Sequence, residues 1–234
     1  MSDLQKRIAE NLGQVRQAII DATVQAGRAP GSVRLIAATK YVSEDVLPAL
    51  AAAGCQDFGE SRPQELWRKS SLAGLEQIDW HLIGHLQRNK ITRTLPLTKL
   101  LHSADSLRLL EALEHEARDL KAPAQVLLEV NISVDAAKHG FAPSEMPDVV
   151  RSLGAFRNIQ VRGLMAMASG EGGRETASRN FADLRQLRDR LQAECPEGVV
   201  LTELSMGMSD DFREAIAEGA TMVRIGSALF EGVE

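Results

Sequence analysis

Apolar residues recur every third or fourth position along the first 27 residues, at Leu4, Ile8, Leu12, Val15 and Ile19. That spacing lays one stripe along a helix, and Gly27 with the Ala-Pro-Gly after it ends the element. The pattern then changes. Short, largely apolar runs of strand length fall at 33–39, 57–60, 79–84, 100–105, 124–131, 159–167, 200–205 and 222–229, the second being the least marked. Helical stripes separate most of them. Ser43 offers an N-cap, Glu44 and Asp45 suit the positive end of a helix, and Val46, Leu47, Leu50 and Ala53 form its buried face. A helix at 63–69 follows the second run, and Leu107, Leu110, Leu113, Ala117 and Leu120 mark another. Phe181, Leu184, Leu187 and Leu191 mark the helix before the seventh strand, and Phe212, Ala215 and Ile216 the one before the eighth.

Apolar strands alternating with amphipathic helices imply a parallel sheet covered on both faces. Eight of them within 234 residues predict an α/β fold. The expected form is a closed (β/α)8 TIM barrel with an extra N-terminal helix, rather than an open doubly wound sheet. No linker or low-complexity tract interrupts the pattern, so one domain, 1–234, is expected.

Composition removes several classes of function. The net charge of −5 gives no global attraction to nucleic acid or to an anionic membrane. Aromatics make up only 4%, too few for the stacking platforms of single-strand binding. Cys55 and Cys195 lie in unrelated segments, and reduced thiols are expected of them. The first residues carry scattered charges instead of a basic region followed by an apolar one, so they do not read as a signal peptide. The longest apolar stretch, 46–55, is broken by Pro48 and is half the roughly 20 residues that span a bilayer. A soluble, cytoplasmic protein is the expectation. His81, His85, His102, His115 and His139 show no metal-ligand spacing with Cys, Asp or Glu, so no metal centre is expected. His81 is expected to alternate with the core side chains of its strand. Met165, Met167, Met206 and Met208 read as gap-filling core. The glycine fingerprints of dinucleotide and ATP sites and the Gly-x-Ser-x-Gly elbow are missing from the chain.

In a barrel of this type the working residues stand at the C-terminal ends of the strands. Lys40 closes the first apolar run. A lysine whose stem lies in an apolar barrel mouth becomes a nucleophilic amine, which is what a Schiff base with a carbonyl compound or with pyridoxal phosphate (PLP) requires; the plainer reading is a lysine snorkelling to the rim. The stretch from Ser205 to Asp211 ends a strand in Gly207 and passes through Ser209 toward a helix. The Ser209 hydroxyl with the free N–H groups of that helix, and Gly226 with Ser227 on the eighth strand, would form a phosphate site. Asp210 and Asp211 fit the helix dipole better than an anion. Arg224 alternates to the face opposite Val223 and Ile225, inside the barrel. It must there meet a ligand or pair with a buried carboxylate such as Glu129 or Glu203. Facing a pyridine nitrogen, a guanidinium donates and keeps that nitrogen unprotonated, which weakens the ring as an electron sink.

The motifs 35–40 (LIAATK), 58–60 (FGE), 81–90 (HLIGHLQRNK) and 130–133 (VNIS), with Lys138 and Gly140, follow one another along the chain. So do 162–165 (RGLM), 205–211 and 222–227. In these residues, over essentially its full length, the chain resembles the PLP homeostasis proteins, single-domain barrels of the alanine racemase type. The resemblance implies PLP held as a Schiff base on Lys40, Arg224 against the pyridine nitrogen, and Ser209, Gly226 and Ser227 on the phosphate. It also implies intracellular buffering of PLP, or its delivery to PLP-dependent apoenzymes, without established turnover. Ser61 stands where the family usually has Asn, which leaves any cofactor contact from that position open. Two-base racemisation is disfavoured, because the only tyrosine, Tyr41, should point away from Lys40 on a strand and no second domain is expected. A PLP-dependent racemase or lyase acting on small amino acids stays as the alternative, and a barrel for another phosphorylated metabolite as a third.

Overall fold

The first stripe folds as α1 (Asp3–Gln25). Ser2 caps it reciprocally: the Gln5 N–H donates to Ser2 Oγ (3.2 Å) and the Ser2 N–H to Gln5 Oε1 (2.8 Å). Ile8, Leu12, Val15 and Ile19 are all buried, each side chain contributing roughly 1.5–3 kcal/mol. Buried Asn11 donates through Nδ2 to the carbonyls of Leu229 (3.1 Å) and Glu231 (2.9 Å), tying α1 to the last turns of the chain.

In this computed structural model, which describes residues 2–133, 135 and 139–233, eight parallel strands close in chain order into a barrel. They are β1 (Arg34–Ala38), β2 (Asp57–Glu60), β3 (Asp79–Leu82) and β4 (Leu100–Ala104), then β5 (Ala124–Glu129), β6 (Ile159–Met165), β7 (Glu203–Ser205) and β8 (Met222–Ile225). Between them lie α2 (Leu47–Ala52), α3 (Pro63–Lys69), α4 (Ile91–Thr94), α5 (Leu107–Glu116), α6 (Met146–Ser152), α7 (Gly173–Gln192) and α8 (Phe212–Ala217). Every anticipated strand is present, most of them shorter than the apolar run that marked it. The eighth stops at Ile225 because Gly226 leaves the extended region, at φ −122° and ψ −75°, and residues Ser227–Leu229 form a 3-10 turn. Helices α4 (four residues) and α6 (seven residues) have no predicted counterpart. Among the described residues, no helix is long and apolar enough to cross a membrane.

The barrel has two cores. The outer one lies between strands and helices and takes Ala37, Phe58, Leu82, Leu101, Leu128, Leu164, Leu204, Val223 and Ile225. The inner one is small: Ile36, Leu100, Leu127, Met165 and Met222, with Ile83 packed against it. Side chains two residues along a strand share a face. His81, His102 and Arg224, two residues from Ile83, Leu100 and Met222, therefore point inside the barrel, and all three are buried.

Candidate functional site

At the C-terminal mouth a cavity of about 360 Å³ is lined by Ala38, Lys40, Tyr41, Val42, Met208, Ser209, Asp210, Arg224, Gly226, Ser227 and Phe230. The volume lies within the roughly 300–1,000 Å³ of small-molecule sites. All five site residues expected from the sequence (Lys40, Ser209, Arg224, Gly226 and Ser227) border this one space.

Lys40 stands just past β1, in a turn, and its side chain is exposed. The strand ends at Ala38, so the alternation that would have aimed Tyr41 away from Lys40 no longer applies. The Lys40 Nζ lies over the Tyr41 ring, 5.0 Å from its centroid. The turn itself is held from behind. The Thr39 N–H donates to the Gly59 carbonyl (2.9 Å). The Thr39 carbonyl accepts from Lys69 Nζ (2.7 Å), which also donates to Glu60 Oε1 (3.1 Å). Lys69 and Glu60 are both buried, and Glu60 Oε2 has no partner among the described residues. Burial raises the Glu60 carboxyl above its ordinary range in spite of Lys69. Sequence reasoning missed this clasp. Its one trace was Lys69 three positions after Leu66, on the buried side of α3.

Gly207 turns the chain after β7 at φ +92°, and a Cβ there would come within 2.5 Å of the Ala215 Cβ. Only glycine fits this turn. Ser209 does not cap the following helix. Asp211 occupies the N-cap of α8, and its Oδ1 accepts from the Met208 N–H (2.6 Å). Ser209 Oγ accepts instead from the Gly226 N–H (3.3 Å), joining the two loops over the cavity. The serine O–H has no acceptor among the described residues and can be given to an anion. Met208 and Met167 are 41% and 37% exposed, unlike buried Met165 and Met206, so only two of the four expected methionines fill core.

Arg224 forms no ion pair with Glu129 or Glu203. Its Nη1 donates to the Ser205 carbonyl (2.7 Å) and to Ser205 Oγ (2.6 Å), and its Nη2 to the Ala166 carbonyl (2.9 Å). Glu203 accepts from Thr221 Oγ1 instead (2.6 Å). Burial pulls the guanidinium down to about 10, with Asp211 and Glu129 opposing it. Nε–H and the second N–H of Nη2 make no hydrogen bond among the described residues and are the donors left for whatever fills the cavity. Behind Arg224, buried polar groups continue across the barrel. His102 Nδ1 lies 2.8 Å from Ser205 Oγ, His102 Nε2 lies 2.9 Å from His81 Nδ1, and His81 Nε2 lies 3.0 Å from Asp57 Oδ1. The pattern placed His81 in the core but could not show its partners, which come from other strands.

Three further residues meet at the opposite side of the mouth. His85 Nδ1 lies 2.9 Å from Asp105 Oδ2, and the His85 and His139 rings stack with centroids 4.6 Å apart. Linear spacing hid this grouping because its members follow three different strands. Asn131 braces the adjoining loop, its Nδ2 donating to the Asp135 carbonyl (2.7 Å). Lys138, part of one matched motif, lies outside the described residues. The Ser61 backbone packs against Gly84, where a Cβ would come within 2.3 Å of the Ser61 carbonyl oxygen. Both cysteines are free thiols, and burial raises the Cys55 thiol to about 12.

Residues 7–233 match the model of the family described as alanine racemase, N-terminal domain. The pyridoxal phosphate homeostasis protein of Pseudomonas aeruginosa is 39% identical over 224 residues, covering 95% of this chain and 94% of its own length. The structure of PipY from Synechococcus elongatus with PLP bound superposes with a TM-score of 0.83 at 35% identity, covering 95% of this chain and 99% of that one. Alanine racemase from Corynebacterium glutamicum shares the fold at a TM-score of 0.73 and 17% identity, over 98% of this chain and 63% of that one.

Proposed function

From its membership of the pyridoxal phosphate homeostasis protein family, to which this chain belongs, we propose that the mouth cavity binds PLP, as a Schiff base on Lys40, and that the protein buffers or delivers the cofactor. The observation that carries this reading is the donor set around one cavity. It offers an amine at Lys40, a hydroxyl at Ser209 with Gly226 and Ser227 beside it, and a guanidinium at Arg224. PLP presents an aldehyde, a phosphate and a ring nitrogen, and the three groups match. Of the two neighbouring carboxylates, Asp211 is outside the cavity lining and accepts from the Met208 N–H, while Asp210 borders the cavity.

PLP supplies an aldehyde that condenses with amines. The chain's own residues bind and orient it. Ser209 gives its O–H to the phosphate while its oxygen still accepts from Gly226. Arg224 would give a free guanidinium N–H to the ring nitrogen and, being unable to accept a proton, would hold that nitrogen as an acceptor. This limits carbanion chemistry and favours a carrier over an enzyme.

The test is an absorption spectrum of the protein mixed with PLP, before and after borohydride, for wild type and Lys40→Ala. A visible band that borohydride bleaches and fixes to Lys40 is expected for wild type alone. Identical spectra for the two proteins would overturn the assignment of Lys40. Transfer of the bound PLP to an apoenzyme without amino-acid turnover would then mark a carrier. The racemase or lyase reading is favoured only by the closeness of Tyr41 to Lys40, and turnover abolished by Lys40→Ala would promote it.

A further inference from the structure

The polar groups behind Arg224 have a forced direction. A guanidinium only donates and a carboxylate only accepts, so these two ends restrict the protons between them to two arrangements. Ser205 Oγ accepts from Arg224 Nη1 (2.6 Å), and its own proton must leave by another route. The acceptor within reach is His102 Nδ1 at 2.8 Å. His102 therefore carries its proton on Nε2 and gives it to His81 Nδ1 at 2.9 Å. His81 in turn carries its proton on Nε2 and gives it to Asp57 Oδ1 at 3.0 Å. The reverse arrangement, with a cationic His81 and His102 protonated on Nδ1, would crowd two donors onto Ser205 Oγ. It would also leave the buried serine O–H without an acceptor among the described residues, which burial penalises. Burial, with repulsion from His81, Arg224 and Arg34, also holds His102 well below the ordinary histidine range.

We infer that Ser205, His102, His81 and Asp57 are positioning residues that hold the Arg224 guanidinium in one orientation toward the cofactor ring through this one-way hydrogen-bond relay. The chain runs from Asp57 on β2 through β3 and β4, crosses the interior to β7, and ends on β8 at the cavity wall. It moves no proton onto the ring, because arginine does not release one. It keeps Ser205 an acceptor toward Arg224 Nη1 while the Ala166 carbonyl takes one N–H of Nη2, so that Nε–H and the second N–H of Nη2 are the donors without a partner among the described residues. The functional part of this inference rests on the PLP reading above; the proton positions do not.

Two measurements separate them. Imidazole ¹⁵N NMR of the unliganded wild-type protein at neutral pH should show His81 and His102 both as neutral Nε2–H tautomers. A cationic His102, or one protonated on Nδ1, overturns the relay whether or not PLP binds. In PLP titrations followed by absorption, Ser205→Ala should weaken binding about tenfold, the size expected for losing one hydrogen bond to a charged group. Ser205→Thr, which keeps the hydroxyl, should restore both affinity and band position. Equal binding by Ser205→Ala and wild type, with the tautomers as assigned, would show that the relay positions nothing. If wild type takes up no PLP, the cofactor reading fails while the tautomer result stands on its own.

Discussion

Lys69 and Arg224 are cations buried in the same barrel, at 1% and 4% exposure, and their charges are answered differently. Lys69 has a carboxylate, Glu60, and a strand-end carbonyl. Its charge is cancelled locally, and its role is to hold the turn from which Lys40 projects. Arg224 has two carbonyls and a hydroxyl, all neutral, and no carboxylate within ion-pair distance among the described residues. A buried charge left without a counter-ion is costly, and this one borders the cavity. The comparison teaches where to look for a ligand: at the cation the protein leaves uncompensated, not at the one it neutralises.

The comparison can be broken most severely at Lys69. Lys69→Met strands buried Glu60 between the barrel and α3 and should cost about 3–5 kcal/mol at neutral pH, read from urea unfolding. Lys69→Met with Glu60→Leu should recover most of that loss, since an apolar pair of similar volume commonly replaces a buried ion pair. Comparable stability of the single variant and wild type would mean that the clasp holds nothing.

Glu129 sharpens the other side. It is buried, and its carboxyl sits at about 7, raised first by desolvation and then by Asp105, with the pull of His139 and Arg224 too weak to reverse this. A raised folded-state value means that the folded protein binds the proton more tightly. Stability from this group is present at low pH and is lost as pH rises from about 4.5 to about 7, a loss on the order of 3 kcal/mol. Glu129→Gln should flatten that part of the stability profile and be the more stable protein above pH 7. Were Glu129 the counter-ion of Arg224, the same variant would lose stability there instead.

Arg224→Met gives the smallest change in stability, about 1–3 kcal/mol, because it leaves the Ser205 and Ala166 carbonyls short of a donor without stranding a charge. Thermal unfolding beside PLP titration checks it: the expected outcome is a modest fall in Tm and a large loss of binding. A loss as large as that of Lys69→Met would place both cations in the same structural class.

The outer core made the fold readable. Ile8, Leu12 and Val15, or Leu110 and Leu113, repeat because a helix must turn one face to its neighbours, although Leu107 of the expected stripe is exposed. The eight strands stand out because parallel strands buried on both faces are nearly all apolar. The barrel interior follows no such repeat. His81, His102 and Ser205 meet across strands β3, β4 and β7, so each is locally a polar residue in an apolar run, and only closure of the barrel reveals its partner. Lys69 and Glu60 escaped for another reason: they lie on neighbouring elements, β2 and α3, where a lone charge in an apolar stripe reads as a solvated end. Lys40, Ser209, Arg224, Gly226 and Ser227 were readable as strand-end chemistry, but the Ser209–Gly226 bond and the turn that brings Tyr41 to Lys40 depend on where the strands stop.

That turn has an optical consequence. The chain contains a single tyrosine, and its ring forms part of the cavity wall beside the Lys40 amine. A chromophore seated there lies next to the only phenol in the molecule, where it drains that phenol's excited state. The emission of Tyr41, which lies to the blue of the two tryptophans, becomes a built-in gauge of occupancy, fading as the cavity fills and returning as it empties.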